Sequence, residues 1–278
     1  MEKLLYTQSL TKKYDSNEVL SSIDLSVYRA QSVAFVGHNG SGKSTLLKIL
    51  ANLVRPTSGK VVHLGKLKFN YVPESFSAPN FTANSYIQHI GEIEGLDKRS
   101  VLHKRDELFH RFFMEDMAAT PMKHLSKGTL QKVCVVQALL AKPDILLLDE
   151  PLSGQDMDSQ HEFIRQVKKL EERGVSILMA CHEPHLIRHL AKSVYEIDNG
   201  RLLQKHISDS EYMEYCELVF VSSGQSLKSP AFTDEEVEVR YTGGKLILTV
   251  PIHKSNAVIV KTIQAGWTLR EIHHENNA

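Results

Sequence analysis

The segment Gly37–Thr45, which reads GHNGSGKST, is the feature that most constrains the fold of this chain. An apolar run over 32–36 precedes it and a helical apolar pattern over 46–50 follows it, so a strand, a glycine-rich loop and the start of a helix are predicted. Glycines let successive backbone N–H groups turn toward an anion, and the helix N-terminus adds partial positive charge. We therefore predict a phosphate-binding loop (P-loop) within an α/β domain.

Each residue type in this loop has a predicted part in binding a nucleotide. The backbone amides form the cradle, Lys43 reaches the terminal phosphates, and the Ser44 hydroxyl suits Mg²⁺. The predicted nucleotide-binding residues of the loop are Gly37, His38, Asn39, Gly40, Ser41, Gly42, Lys43, Ser44 and Thr45.

The composition is that of a globular protein with an even charge balance. The 278 residues include 33 basic and 33 acidic side chains, whereas a general nucleic-acid binder needs a basic excess, so no nucleic-acid partner is expected. No apolar run approaches the roughly 18 residues of a membrane span, and the N-terminus has no signal-peptide pattern. The three cysteines lie far apart and suggest neither a disulfide framework nor a zinc knuckle. We expect a cytoplasmic protein that associates with a membrane only through partners.

Short apolar runs alternate with helical patterns along most of the chain. This alternation predicts an α/β fold with a largely parallel sheet, a β-rich N-terminal part and a helical subdomain over about 80–135. The predicted strands are 4–8, 23–28, 32–36, 60–64, 145–148 and 175–180, and the predicted helical stretches are 82–117, 130–140 and 159–173.

The character of the sequence changes after Gly200. Residues 206–278 carry 6 basic and 10 acidic side chains, and two strand-like runs flank Gly243-Gly244, which is a strong hairpin signal. A helix capped by Ser255 and a strand over 267–272 are predicted to follow. We expect a larger domain over 1–205 and a small C-terminal α+β appendage over 206–278.

Two acidic residues, Asp149 and Glu150, directly follow the predicted strand 145–148. A carboxylate at the C-terminal edge of such a strand is placed to meet Mg²⁺ near Ser44. The next side chain points elsewhere because side chains alternate past a strand end, which suits a base that polarises an attacking water. Together with a P-loop in the same domain, the pair indicates nucleotide hydrolysis rather than a solvated turn.

From residue 1 to about 205 the chain resembles the ATP-binding subunits of ABC transporters. Six elements stand in the order of that family. They are Tyr14 as the aromatic that stacks on adenine, Walker A at 37–45, the signature-like LSKGTLQK at 125–132, Walker B at 144–150, a D-loop at 153–156, and His182 as the switch histidine.

This resemblance implies a Mg²⁺-dependent ATPase that works as a head-to-tail dimer, with itself or with a similar subunit. Each ATP would lie between the Walker motifs of one subunit and the signature of the other. The implied catalytic residues are Lys43, Glu150 and His182, the implied nucleotide ligands outside the P-loop are Tyr14, Ser126, Gly128 and Asp156, and the implied metal ligands are Ser44, Asp149 and Glu74.

The chain departs from the family pattern in two places. Lys127 and Thr129 stand at a glycine and at the glutamine of the signature LSGGQ, although the donors at Ser126 and Gly128 remain. Glu74 stands where the family usually has a loop glutamine and adds negative charge near the phosphates. Both variants resemble exporters, so we expect export through separate transmembrane permease subunits.

Other functions remain open from the sequence. A soluble ABC-type ATPase acting on nucleic acid or ribosomes usually carries a long coiled coil or two cassettes, and this chain has neither. A nucleotide-dependent regulatory switch is disfavoured by the presence of Glu150. A transition-metal site at His182, His185 and His189 lacks a further ligand, so His185 and His189 are expected on an exposed helix face.

Overall fold

The computed structural model describes residues 2–205, 215–222, 237–242 and 244–274. The chain divides into two compact units, residues 1–207 and 208–278, and each is described by itself.

An antiparallel sheet forms the N-terminal part of the larger unit. Its central strand β1 (Lys3–Tyr14) pairs with β2 (Asn17–Ile23), β3 (Ser26–Tyr28) and β5 (Ser58–His63). The prediction of one strand over 23–28 is therefore wrong. The chain turns between β2 and β3 because the Thr7 hydroxyl donates to the Ile23 carbonyl and accepts from the Leu25 amide, each at 2.8 Å.

A six-stranded sheet forms the centre of the larger unit, with the strand order β10-β9-β4-β8-β7-β6. Neighbouring strands are parallel except for β10, which runs antiparallel to β9. The three central strands are buried along their whole length, as expected when both faces of a parallel sheet are covered. The strands are β4 (Ser32–Val36), β6 (Phe69–Val72), β7 (Ile145–Asp149), β8 (Ser176–Ala180), β9 (Ser193–Asp198) and β10 (Arg201–Lys205).

Helix α1 (Lys43–Leu50) packs against β7 and β8, and its buried leucines and Ile49 join the core that the two sheets share. Two further helices, α5 (Met157–Glu172) and α6 (Pro184–Leu190), pack on each other. Because β4, β7 and β8 are parallel, their carboxyl ends lie at one edge, and the segments that follow them meet there.

Three helices pack together in the predicted helical subdomain: α2 (Ala83–Ile93), α3 (Lys98–Arg111) and α4 (Lys127–Leu140). Short 3₁₀ turns lie between α3 and α4. The sequence placed the start of α4 at residue 130, three residues too late. Ser126 is the N-cap, and its Oγ accepts from the Thr129 amide at 3.1 Å, which stabilises a first turn that the apolar pattern does not mark.

The described residues of the smaller unit form an antiparallel sheet, in the strand order β12-β13-β11-β14, and one helix, α7 (Ile252–Gln264). Thr242 pairs with Lys245, so the predicted hairpin is present, although Gly243 lies outside the described residues. Ser255 does not cap α7, because the helix begins at Ile252 and the Ser255 hydroxyl donates to the Ile252 carbonyl. The strands are β11 (Tyr215–Ser222), β12 (Glu238–Thr242), β13 (Lys245–Pro251) and β14 (Trp267–His274).

The cysteines Cys134, Cys181 and Cys216 are buried and free. Over the described ranges, no helix combines the length and the apolar character needed to cross a bilayer.

Candidate functional site

The P-loop connects β4 to α1 at the carboxyl edge of the central sheet. Gly37 and Gly42 have φ angles of 139° and 106°, a region that side chains with a Cβ rarely adopt. A Cβ on Gly37 would lie 2.6 Å from the Ile197 carbonyl oxygen, and one on Gly42 would lie 2.9 Å from Val19 Cγ1. The backbone therefore approaches its neighbours so closely that these two positions require glycine.

The charge of the P-loop comes from Lys43, the first residue of α1. Its side chain is buried, and Nζ donates to the carbonyl oxygens of Gly37 at 2.8 Å and His38 at 3.2 Å. The ammonium group thus joins the end of the P-loop to the carbonyl oxygens at its beginning. Of the other loop residues, His38, Asn39 and Gly40 are exposed, Ser41 is buried, and Ser44 and Thr45 are half-buried.

A hydrogen-bonded chain links the P-loop to β7 and β6. Ser44 Oγ donates to Asp149 Oδ1 at 2.7 Å, and the Tyr71 hydroxyl donates to Asp149 Oδ2 at 2.7 Å. Burial, followed by this bond to Asp149, raises the pKa of Tyr71, so the phenol stays a donor. Tyr71 was not among the predicted site residues, because the sequence does not reveal that β6 and β7 are neighbours.

Glu150 and His182 meet at the same edge of the sheet. His182 Nδ1 lies 2.8 Å from Glu150 Oε2, and the Glu150 amide donates to the Ala180 carbonyl at 2.9 Å. Glu150 has a φ of 47°, a left-handed conformation that is uncommon outside glycine and that recurs at functional sites. The strand end therefore turns sharply after Asp149.

Contacts within this pair change the pKa values of both residues. Burial raises the pKa of Glu150, although the bond to His182 opposes the rise, and the Glu150 bond raises the pKa of His182. Glu183 is a third member of the cluster, and one ligand atom from each residue lies within 4.8 Å of the others. The sequence analysis missed Glu183, although its position next to His182 was a signal.

The signature-like segment begins α4 and packs against the D-loop. Ser126 is exposed, and its Oγ lies 2.8 Å from Thr129 Oγ1 in the first helical turn. A Cβ on Gly128 would lie 2.1 Å from the Gly154 carbonyl oxygen, so the two backbones touch at this point. Glycine at 128 is thus required by a close approach to the D-loop.

Asp156 of the D-loop is the N-cap of α5. Its carboxylate accepts from the Ser159 amide at 2.9 Å and pairs with Lys132 Nζ at 2.7 Å. Burial acts to raise its pKa, but the bonds to Lys132 and Ser159 outweigh it and lower the pKa to about 2. In the described structure this side chain holds α5 to α4.

Glu74 and Tyr14, two other predicted site residues, are exposed. Glu74 follows β6, and the buried Gln131 of α4 holds the same loop by donating to the Pro73 carbonyl at 2.9 Å. Tyr14 ends β1, and Lys12 Nζ lies 4.6 Å from the centre of its ring. Gln131 was not predicted as a site residue; it lies within the signature-like segment 125–132, but nothing in the sequence marks its contact with Pro73.

The structure does not assemble His182, His185 and His189 into a metal site. His182 precedes α6, whereas the other two lie on it, and within the described residues the group close enough to hold a metal ion is Glu150, His182 and Glu183. His189 is exposed as expected, but His185 is half-buried beside His161, so the prediction of an exposed face is wrong for His185.

Known proteins are similar to this chain in sequence and in fold. The ABC transporter family profile matches residues 20–153. The zinc import ATP-binding protein ZnuC of Acinetobacter baylyi is 35% identical over 182 residues, which are 65% of this chain and 68% of that protein. The chain belongs to the ABC transporter family of ATP-binding subunits. The ZnuC protein of Pseudomonas entomophila is 30% identical over 234 residues, which cover 83% of this ABC subunit and 87% of that protein.

Solved structures agree with the assignment. An ATP-binding subunit of an ABC transporter superposes on this ABC subunit with a TM-score of 0.68 and 27% identity, over 74% of this chain and 91% of that one. The predicted fold class and family are therefore confirmed. As a member of this family, the ABC subunit binds ATP and is an ATPase.

Proposed function

We propose that this subunit hydrolyses Mg²⁺-ATP within a head-to-tail dimer and energises transport through separate transmembrane permease subunits. The observation that supports this most is the connected half-site at the sheet edge. Ser44 bonds to Asp149, and Glu150 lies against His182, all within one chain. Ser126, by contrast, sits on an exposed helix N-terminus, where its oxygen bonds with Thr129 of the same turn.

The residues of the half-site fit Mg²⁺ and a polyphosphate. Mg²⁺ prefers oxygen ligands, and the oxygens of Ser44 and Asp149 already lie 2.7 Å apart. Ser41 Oγ is buried in the P-loop without a hydrogen-bond partner among the described residues, as expected for a cradle that receives an anion. When bound, the metal neutralises charge on the β- and γ-phosphates. Glu74 is proposed as a further metal contact.

In this proposal, each protein side chain has a separate role in hydrolysis. Glu150, whose pKa burial raises, accepts a proton from the attacking water. His182, whose protonated form the Glu150 bond favours, donates to the γ-phosphate, and Lys43 adds a fixed positive charge. Tyr14 offers a half-exposed ring for adenine, and Asp156 keeps the D-loop against α4.

The proposed assembly lies at the cytoplasmic face of a membrane, held there by the permease partners, with no nucleic acid involved. Residues 206–278 are a separate appendage in this proposal, and the dimer is formed with a second copy or a similar subunit. The zinc import names of the relatives make import of a transition-metal ion the transport to test first. Export, which Lys127 and Glu74 favour, is the competing direction.

A mixed dimer of two inactive variants tests the proposal. Lys43→Ala disables the Walker side of a site, and Ser126→Arg fills the signature side, so neither homodimer should trap ATP. In a mixed dimer one site inherits both defects and the other inherits none. With equal amounts and random exchange, about half the dimers are mixed, so about a quarter of all sites should occlude ATP.

Occlusion is measured with labelled ATP after gel filtration, and subunit exchange is measured separately by fluorescence transfer. Lys123→Ala, an exposed residue shortly before α4, replaces Ser126→Arg in a control mixture. Lys123→Ala leaves both the Walker side and the signature side of the subunit intact. Homodimers of this variant should therefore occlude ATP even before mixing. If exchange is complete and the mixture of inactive variants traps no more ATP than either variant alone, Ser126 does not act across a dimer interface.

A further inference from the structure

A cavity of about 310 Å³ lies between α5 and α6, outside the nucleotide site. Its volume falls at the lower end of the range of small-molecule sites, about 300–1,000 Å³. Six residues line it: His161, Ile164, Arg165 and Lys168 from α5, and His185 and His189 from α6. Except for the buried Ile164, each of them carries a nitrogen that donates hydrogen bonds in at least one protonation state.

The three imidazole rings form a connected group on one side of the cavity. The ring centres of His161 and His185 are 5.7 Å apart, and those of His185 and His189 are 4.3 Å apart. His189 Nδ1 lies 2.8 Å from the His185 carbonyl oxygen. A carbonyl only accepts, so Nδ1 carries the hydrogen, and protonation at Nε2 would make His189 a donor at both nitrogens.

Two of the six lining residues, Arg165 and Lys168, are cationic. Arg165 pairs with Glu162, whose Oε2 lies 2.8 Å from the guanidinium Nε, but Lys168 forms no ion pair with a residue that the structure describes. None of the six lining residues carries a carboxylate. A cavity with these donors favours an anion with several acceptor oxygens, because charge-assisted hydrogen bonds are among the strongest.

We propose that this cavity binds a small soluble ligand that carries phosphate groups. A transition metal fits less well, because Arg165 and Lys168 would repel it and the three histidines do not bring their nitrogens together in the way that Glu150, His182 and Glu183 bring their ligand atoms. The position matters for the ATPase. Helix α5 begins directly after Asp156, and α6 begins two residues after His182, so the ligand would contact both helices that follow the D-loop and the switch histidine.

Histidine side-chain NMR of the full chain, titrated with inorganic pyrophosphate, tests this proposal. Resonances of His161, His189 and the P-loop residue His38 are assigned with single His→Gln variants. We expect the resonances of His161 and His189 to shift together, and Lys168→Ala to weaken that response about tenfold or more because it removes a charged donor. His38 reports pyrophosphate at the P-loop and should respond equally in both proteins.

Lys169→Ala is the matched control, since it removes the same charge from the adjacent position of α5 but does not line the cavity. The proposal is overturned if His38 shifts and His161 and His189 do not, or if Lys169→Ala weakens the response as much as Lys168→Ala. A shift with ZnCl₂ and none with pyrophosphate would establish a metal site instead. A shift with phosphatidylglycerol vesicles alone would establish a lipid headgroup as the ligand and overturn the soluble one.

Discussion

The P-loop edge of the central sheet and the N-terminus of α4 both present donors for phosphate, but they are built in different ways. At the sheet edge, contacts join residues that are far apart in the sequence, such as Ser44 and Asp149, separated by 105 positions, and Tyr71 and Asp149, separated by 78. At α4, Ser126 bonds within its own helical turn, and Gly128 touches the nearby D-loop.

This difference shows why one half of the site is organised within the chain and the other is available to a second molecule. Ser44, Tyr71, Asp149 and Glu150 are buried or half-buried, and each is bonded to another sheet-edge residue, so their geometry is organised before any ligand arrives. Ser126 and Lys127 are exposed; Ser126 bonds within its own helical turn, and Lys127 Nζ lies 3.4 Å from Ser153 Oγ. In the proposed dimer, this donor surface would meet the phosphates that the partner subunit holds.

Glu150→Gln is the largest expected disruption of the sheet-edge half. The amide keeps the shape and the backbone turn of Glu150 but cannot accept a proton, so steady-state hydrolysis should fall by about 10² to 10⁴. ATP binding and ATP-driven dimerisation, followed by light scattering, should remain. Glu183→Gln removes the same charge from the same cluster and should lower the rate less. Hydrolysis near the wild-type rate in Glu150→Gln would reject Glu150 as the base.

Gly128→Ala should disrupt the signature half and spare the sheet edge. Its Cβ would meet the Gly154 carbonyl oxygen at 2.1 Å, so the start of α4 or the D-loop must move. Overpacking of this kind costs about 1–3 kcal/mol, so we expect ATP-driven dimerisation to weaken about tenfold or more. ATP binding by the monomer, measured by equilibrium dialysis, should stay unchanged.

Lys127→Ala is the control for Gly128→Ala. It alters the same helical turn and removes only a 3.4 Å contact to Ser153 Oγ, without a backbone clash. Equal losses in the two variants would show that the signature half is sensitive to any change there, and the close approach of Gly128 to Gly154 would have no special role.

The parts of the fold that could be predicted are those that one stretch of sequence determines. The runs 33–36 and 145–148 are apolar throughout, and a strand buried on both faces favours that composition. The start of α4 at Lys127 and the break between β2 and β3 were missed. The first depends on the hydrogen bond from the Thr129 amide to Ser126, and the second on two bonds of the Thr7 hydroxyl, with Ile23 and Leu25. Hydrophobic periodicity registers none of these bonds.

The same distinction, between what one stretch of sequence determines and what depends on contacts in the folded chain, applies to the candidate site. The motifs predict Lys43, Ser44, Asp149, Glu150 and His182 as site residues, and the structure brings Ser44 against Asp149 and Glu150 against His182. Tyr71 and Gln131 were missed, since their contacts follow from which strands are neighbours and from which loop each side chain reaches, whereas Glu183 was missed although it stands next to His182. Long-range pairing is a property of the folded chain, and one sequence does not display it.

Of these substitutions, Glu74→Gln should affect hydrolysis least. It tests whether Glu74 acts with the sheet-edge half of the site or with the α4 half. The Glu74 loop is tied to α4 by Gln131, and Glu74 lies near enough to the Tyr71–Asp149 pair to influence the pKa of Tyr71. Exposed charges contribute about 0.2–1 kcal/mol, so loss of a metal contact here should raise the Mg²⁺ concentration for half-maximal hydrolysis by no more than about fivefold.

Glu92→Gln, on the exposed part of α2, is the control. A shifted Mg²⁺ titration in Glu74→Gln alone would place this loop with the sheet-edge half, because it would then share the metal with Asp149. An unchanged Mg²⁺ titration would show that Glu74 has no metal role. Glu74 would then be assigned to the α4 half of the site, as a residue that contacts partners.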